Sequence, residues 1–219
     1  VRVAGLKALQ TLGDASTVEL LTFHAAKAEG EEKTVARNSL WGIPGSDVDQ
    51  VILQSLVKDP DPDIQNELMM SIGERRIYAG KEHLFEKAGS SNSKIRLQAI
   101  KTLKEIGAPS DLTRLLRLLL ERKDETEQEE IKSTIWATAR KISNPIGRAD
   151  AVKAMLPSVQ DIKGRCALYR VLGMIGDDSS LPLIRTALAE ENEQTHDAAV
   201  RALADWPTIT PRDDLVKIA

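Results

Sequence analysis

Apolar residues recur along this chain at intervals of three and four, the spacing of one face of an α-helix. The clearest example is IRLQAIKTLKEIG at residues 95–107. Segments beginning at Val1 and Gly164 follow the same plan: an apolar or small residue, a basic residue, further apolar positions and a closing glycine. No stretch keeps up a strict apolar–polar alternation with turn signals, so the pattern predicts helices and no β-sheet.

The helical segment is a repeat. Weaker copies begin at Val35, Ile64, Ile131 and Thr195, which brings the number of copies to seven. The sixth position is apolar in every copy: Leu6, Leu40, Met69, Ile100, Trp136, Tyr169 and Val200. Periodicity at about 30 residues is the signature of a repeat protein, in which neighbouring units stack to bury a continuous core.

Another helical segment lies between successive copies. It forms the first helix of each hairpin, and the repeated copy forms the second helix. These segments are predicted at 17–28, 47–58, 81–87, 111–122, 147–155, 181–190 and from 213 onward. The chain is therefore predicted to be all-α, an α-α superhelix (solenoid) of about six helical hairpins with a half-repeat at each end. We interpret residues 1–219 as a single repeat domain and, because of the half-repeats, as a fragment of a longer polypeptide.

Capping residues and glycines mark the predicted helix ends. Asp61 before Pro62, and Thr126 three residues ahead of Glu129, predict N-terminal caps. The closing glycines predict left-handed residues at helix C-termini. The glycines concerned are Gly13, Gly73, Gly107 and Gly176.

The period, the β-branched residue followed by Arg, and the turn DPDPD at 59–63 resemble HEAT repeats, in particular the bacterial phycobilisome-lyase-type HEAT-like repeat. The resemblance implies an armadillo-like α-α superhelix. It also implies that the basic second position pairs with a turn aspartate of the neighbouring repeat. Such a ladder would be interrupted here, because the second positions are Arg2, Ala36, Gln65, Arg96, Lys132, Arg165 and His196.

A second resemblance concerns the C-terminal part of the chain. The segments ADWP at 204–207 and DDL at 213–215 are similar to HEAT arms of large bacterial envelope proteins. This resemblance implies a bacterial periplasmic or cell-surface location; without it, the cytoplasm is equally compatible with the sequence. The single cysteine excludes an internal disulfide but does not fix the compartment.

No set of side chains predicts catalysis, a cofactor or a metal. His24, His83 and His196 fall on different hairpins without metal-ligand spacing, so surface or capping roles are expected. Cys166 follows Arg165, a neighbour that can lower a thiol pKa, but packing as a small buried residue is the expected role. Neither a serine-nucleophile motif nor a phosphate-binding glycine loop is present. The chain is therefore predicted not to be an enzyme.

Charge and tryptophan positions narrow the class of partner. Net charge is −3 without a strongly basic half, which argues against nucleic acid, and no apolar run reaches the roughly 18 residues of a membrane span. Trp136 and Trp206 fall at apolar positions and are expected in the core. Trp41 falls one position after the apolar column, so both a structural role in the turn 41–45 and exposure on the second-helix face remain open.

The expected function is a non-catalytic scaffold that binds a protein, a peptide or a neighbouring domain on a concave face lined by the second helix of each hairpin. This face would be mixed but locally basic and would fit an acidic peptide. The residues expected to line it are Lys7, Trp41, Lys101, Lys104, Arg170 and Arg201. Two alternatives stay open: an accessory HEAT-like subunit of a bilin-lyase-type enzyme, and a structural spacer in a multidomain bacterial protein.

Overall fold

The computed structural model covers residues 1–219 and contains fourteen α-helices and no strand. The chain divides into two compact units, residues 1–107 and 108–219. Unit 1 contains α1 (Arg2–Leu12), α2 (Val18–Lys27), α3 (Gly30–Gly42), α4 (Ser46–Lys58), α5 (Pro62–Glu74), α6 (Lys81–Lys87) and α7 (Ser93–Ile106). Unit 2 contains α8 (Leu112–Glu121), α9 (Glu125–Ala139), α10 (Asp150–Met155), α11 (Ile162–Ile175), α12 (Leu181–Leu188), α13 (Glu193–Ala204) and α14 (Arg212–Ile218).

Each unit is a stack of three helical hairpins. In unit 1 these are α2–α3, α4–α5 and α6–α7, with α1 packed against α3. In unit 2 they are α8–α9, α10–α11 and α12–α13, with α14 against α13. The predicted all-α class and the six hairpins with a single helix at either end are confirmed, whereas the single domain over 1–219 stays a prediction. None of the helices is long and apolar enough to cross a membrane.

The repeated apolar column forms the core of both units. Leu40, Met69 and Ile100 are completely buried in unit 1. In unit 2, Trp206 is buried as predicted, and its indole nitrogen donates to Asp178 Oδ1 over 3.1 Å. The predicted burial of Trp136 is wrong: this residue is half-buried, and the guanidinium of the exposed Arg140 lies over its ring, with its central carbon 4.7 Å from the ring centre.

Short polar side chains fix the start of five second helices. In each case the side-chain oxygen accepts a hydrogen bond from a backbone N–H in the first turn, which would otherwise lack a partner. These capping residues are Asp61, Asn92, Asp124, Asp161 and Asn192. The cap predicted at Asp61 is therefore confirmed. The cap predicted at Thr126 is wrong, because Asp124 accepts from the amide of Glu127 instead.

The closing glycines end their helices in different ways. Gly176 has the left-handed conformation predicted for it, with φ of 64°. Gly13 and Gly107 are extended, with φ of −74° and −60°, because the chain runs straight on into the next hairpin. Gly73 lies inside α5, and the positive φ falls on Arg76. The left-handed ending is thus wrong at three of the four glycines.

Two second-position side chains, Gln65 and Arg96, bind the turn within their own hairpin. Gln65 Nε2 donates to the carbonyl of Asp59 over 2.6 Å, and Arg96 Nη1 donates to the carbonyl of Ser90 over 2.9 Å. These bonds stabilise the turn between the two helices of a hairpin. The pairing implied for the basic second positions, with a turn aspartate of the neighbouring repeat, stays a prediction.

A ladder between neighbouring repeats of unit 1 is nevertheless formed by other residues. Lys27 Nζ lies 2.7 Å from Asp61 Oδ2 and 3.2 Å from Asp63 Oδ2, and Lys94 Nζ lies 2.6 Å from Asp63 Oδ1. The pKa of both carboxyls is lowered, chiefly by the hydrogen bond from Lys27 to Asp61 and that from Lys94 to Asp63. The ladder links the α2, α5 and α7 segments through exposed, salt-sensitive contacts.

Candidate functional site

The second helices of unit 2 line a groove of about 870 Å³, here called the α9–α13 groove. It is bounded by the end of α8, the first half of α9, and α11 and α13. Small residues, among them Gly164, Ala167 and Ala198, leave its centre open. Its cationic side chains are Arg122, Lys123, Lys132, Lys163, Arg170 and Arg201, and its acidic ones are Glu125, Asp161 and Asp197. The groove is therefore positively charged, although the whole chain has a net charge of −3.

Two of the residues predicted from the sequence, Arg170 and Arg201, lie together in this groove. Arg170 Nη2 is 2.8 Å from Asp205 Oδ2, and Arg201 Nε is 2.8 Å from Asp197 Oδ2. Arg170 also has a buried Nε that no acceptor satisfies. An arginine can bind a carboxylate with two parallel hydrogen bonds, so Arg170 has unused donor capacity.

The lysines of the groove differ in their partners. Lys132 is buried and pairs with Glu129 one turn earlier on α9. Lys123 and Lys163 are exposed and make no ion pair. Because nothing within the chain neutralises these two ammonium groups, they supply the freely available positive charge of the groove.

Cys166 lies in the groove between Arg170 and the start of α11. Its thiol is half-buried, and Sγ is 3.4 Å from the carbonyl of Gln194 on α13. Burial raises the pKa of the thiol, which outweighs the opposite effect of Arg165. Cys166 is therefore a neutral thiol at neutral pH, and the full burial predicted for it is wrong.

The remaining predicted site residues lie on three helices of unit 1. Lys7 on α1 and Lys101 on α7 are exposed, Lys104 on α7 is half-buried, and Trp41 is half-buried near the end of α3. The indole nitrogen of Trp41 is buried without an acceptor. The structure thus brings Arg170 and Arg201 together, while a single binding stripe that includes the unit 1 residues stays a prediction.

Arg75, which the sequence analysis did not single out, holds the turn that follows Trp41. Its Nη1 donates to the carbonyls of Trp41 and Ile43 over 3.0 and 2.6 Å, and its Nε donates to Asp49 Oδ1 over 2.7 Å. The turn 41–45 is therefore part of the packed structure of unit 1, which favours the structural role for Trp41. No local signal marks Arg75, because its acceptors lie 26 to 35 residues away in sequence.

The histidines are distributed over separate hairpins. His24 Nδ1 lies 2.8 Å from Glu32 Oε1, and His196 Nδ1 lies 2.9 Å from the carbonyl of Leu188. His83 is on α6. No group of three or more His, Cys, Asp or Glu side chains is placed where it could hold a metal ion.

Comparison with known proteins identifies the repeat. The family model described as HEAT repeats matches residues 50–136. No curated protein matches the chain. Among solved structures, the crystal structure of an engineered protein is similar with 19% identity and a TM-score of 0.45, covering 86% of this chain and 95% of that one. The more specific resemblance to the phycobilisome-lyase type, and that to envelope-protein arms, stay predictions. Residues 50–136 run from α4 into α9, and this part of the chain is similar to HEAT repeats, while the hairpins outside it follow the same helical plan.

Proposed function

We propose that this chain is a non-catalytic protein-binding scaffold and that the α9–α13 groove receives an acidic segment of the partner. HEAT repeats generally act as protein-interaction scaffolds. The observation that carries the proposal is the excess of cationic over acidic side chains in a groove on an otherwise acidic chain. The partner segment belongs either to another protein or to a neighbouring domain.

Charge and shape both favour a peptide segment. Complementary charge speeds encounter and selects the partner, and arginine is enriched at interface hot spots. The small residues Gly164, Ala167 and Ala198 leave room for a chain to pass across α11 and α13. A nucleic acid matches the groove less well than an acidic peptide. Only two lysines of the groove, Lys123 and Lys163, are free of carboxylate partners, whereas salt-dependent binding of nucleic acid commonly uses about 6–10 phosphate contacts.

The proposal predicts charge-selective peptide binding, measurable by fluorescence anisotropy with a labelled poly-glutamate peptide of about ten residues, long enough to cross several helices. We expect binding that weakens with salt and that falls by about tenfold or more in the double variant Arg170→Gln, Arg201→Gln. The double variant Lys7→Gln, Lys101→Gln is the matched control, since it removes the same charge from unit 1 and should change the affinity little.

Two results would contradict this function. One is equal weakening by the two double variants, which would mean that net charge alone attracts the peptide. The other is tighter binding of a poly-lysine peptide or of a single-stranded oligonucleotide than of poly-glutamate at the same ionic strength. Either result would remove the α9–α13 groove as an acidic-peptide site.

A further inference from the structure

Two arginines of the α9–α13 groove, Arg170 and Arg201, already hold carboxylates of the chain itself. Asp205 follows the last residue of α13 and binds Arg170, and Asp197 on α13 binds Arg201, each over 2.8 Å. We propose that Asp197 and Asp205 mask the groove in the free protein, and that the partner's carboxylates take their places on Arg201 and Arg170. This inference rests on the proposed function, because it concerns the ligand of the same groove.

The geometry of Arg170 favours replacement of Asp205 by a partner carboxylate. Asp205 accepts a hydrogen bond from Nη2 only, and Nε has no acceptor. Once Asp205 withdraws, a partner carboxylate can bind Nε and Nη2 together in the two-bond arrangement that carboxylates make with arginine. The incoming group therefore makes one hydrogen bond more than the group it replaces.

The masking carboxylates can release the arginines without becoming buried and unpaired. The side chains of Asp205 and Asp197 are 40% and 57% exposed, so water solvates them as soon as they release the arginines. Exposed ion pairs contribute a factor of only about two to five to an equilibrium. The masks therefore tune the affinity without closing the groove.

The other acidic residues of the groove have different roles. Asp161 caps α11, accepting a hydrogen bond from the amide of Gly164 over 2.7 Å. Glu125 lies at the start of α9 and makes no ion pair. Only Asp197, among the acids lining the groove, competes for one of its arginines, and Asp205 does so from just outside. A partner that displaces both must supply two carboxylates, one for α11 and one for α13.

Glu125 provides a control with the same change in charge. We expect Asp205→Asn and Asp197→Asn each to bind the labelled poly-glutamate peptide about two- to fivefold more tightly than the original chain. Glu125→Gln also removes one negative charge from the groove, but it frees no arginine and should tighten binding by less. In the Arg170→Gln background, Asp205→Asn should lose its effect, since the masked arginine is gone. Circular dichroism melting establishes that the variants are folded.

The outcomes separate the masking proposal from the function on which it rests. If Glu125→Gln tightens binding as much as Asp205→Asn, or if Asp205→Asn still acts without Arg170, net charge explains the gain and masking is refuted. Masking is also refuted if the original chain binds, Arg170→Gln weakens binding, and neither asparagine variant tightens it; the groove then remains the binding site. If neither the original chain nor any unmasked variant binds the peptide, the proposed function fails as well.

Discussion

Arg75→Ala is expected to destabilise unit 1 by about 3–5 kcal/mol, the range for removing one partner of a buried charged network. The Arg75 side chain is only 8% exposed. Besides binding Asp49, it donates to backbone carbonyls around the end of α3, which have no partner within the helix. Those acceptors are the carbonyls of Leu40, Trp41, Ile43 and Gly45. Urea unfolding followed by circular dichroism measures the loss.

The neighbouring arginine supplies the control for this substitution. Arg76 is exposed, so Arg76→Ala should change the free energy of unfolding by no more than about 0.5 kcal/mol. Arg75→Lys should fall between the two, because it keeps the charge near Asp49 but cannot reach several carbonyls with a planar fork. Equal effects of Arg75→Ala and Arg76→Ala would show that the turn 41–45 does not depend on this guanidinium.

Gly173→Ala is expected to destabilise unit 2 by about 1–3 kcal/mol. A Cβ at residue 173 would lie 2.4 Å from the carbonyl oxygen of Ala202 and 2.6 Å from its Cα, both backbone atoms that cannot rotate away. Accommodating the methyl group requires α11 and α13 to move apart. Because these helices form part of the groove, the same substitution should also weaken peptide binding.

Gly5→Ala is the matched control on an open helix surface. A Cβ at residue 5 on α1 meets nothing within 4 Å, so the better helix propensity of alanine should stabilise the protein by up to about 1 kcal/mol. The two substitutions are chemically identical, and opposite signs are expected in urea unfolding. Stabilisation by both would mean that α11 and α13 do not approach closely at Gly173.

The helices could be predicted because the residues that determine each helix lie within that helix or next to it in sequence. Apolar spacing places Ile100 in the core and Lys101 on the surface, and the structure agrees for both. Capping is local as well, but the cap is Asp124, two residues before the predicted Thr126, and only its hydrogen bond from the amide of Glu127 identifies it. The closing glycines were less informative about the helix ends. Gly107, for example, has an extended conformation that many other residues also adopt, so a glycine at this position does not predict a left-handed helix end.

The candidate site depends on contacts that sequence spacing does not encode. The repeat register placed Arg170 and Arg201 on equivalent positions of neighbouring helices, and both line one groove. It could not show that Asp205, 35 residues after Arg170, returns to bind that arginine. The half-burial of Trp136 could not be predicted either, since the repeat register placed this residue in the apolar column whose other members include the fully buried Leu40 and Ile100.

The chain's single cysteine offers the most direct test of binding in the α9–α13 groove. Cys166 lies in this groove, so a bound segment should cover its thiol. Cys166 is alkylated with iodoacetamide above neutral pH, and the rate is measured by mass spectrometry. We expect the alkylation rate to be several-fold lower at saturating poly-glutamate than without the peptide. The protection should disappear in the Arg170→Gln, Arg201→Gln variant. An unchanged alkylation rate while anisotropy shows the peptide bound would contradict the account, because the acidic segment would then lie elsewhere on the chain.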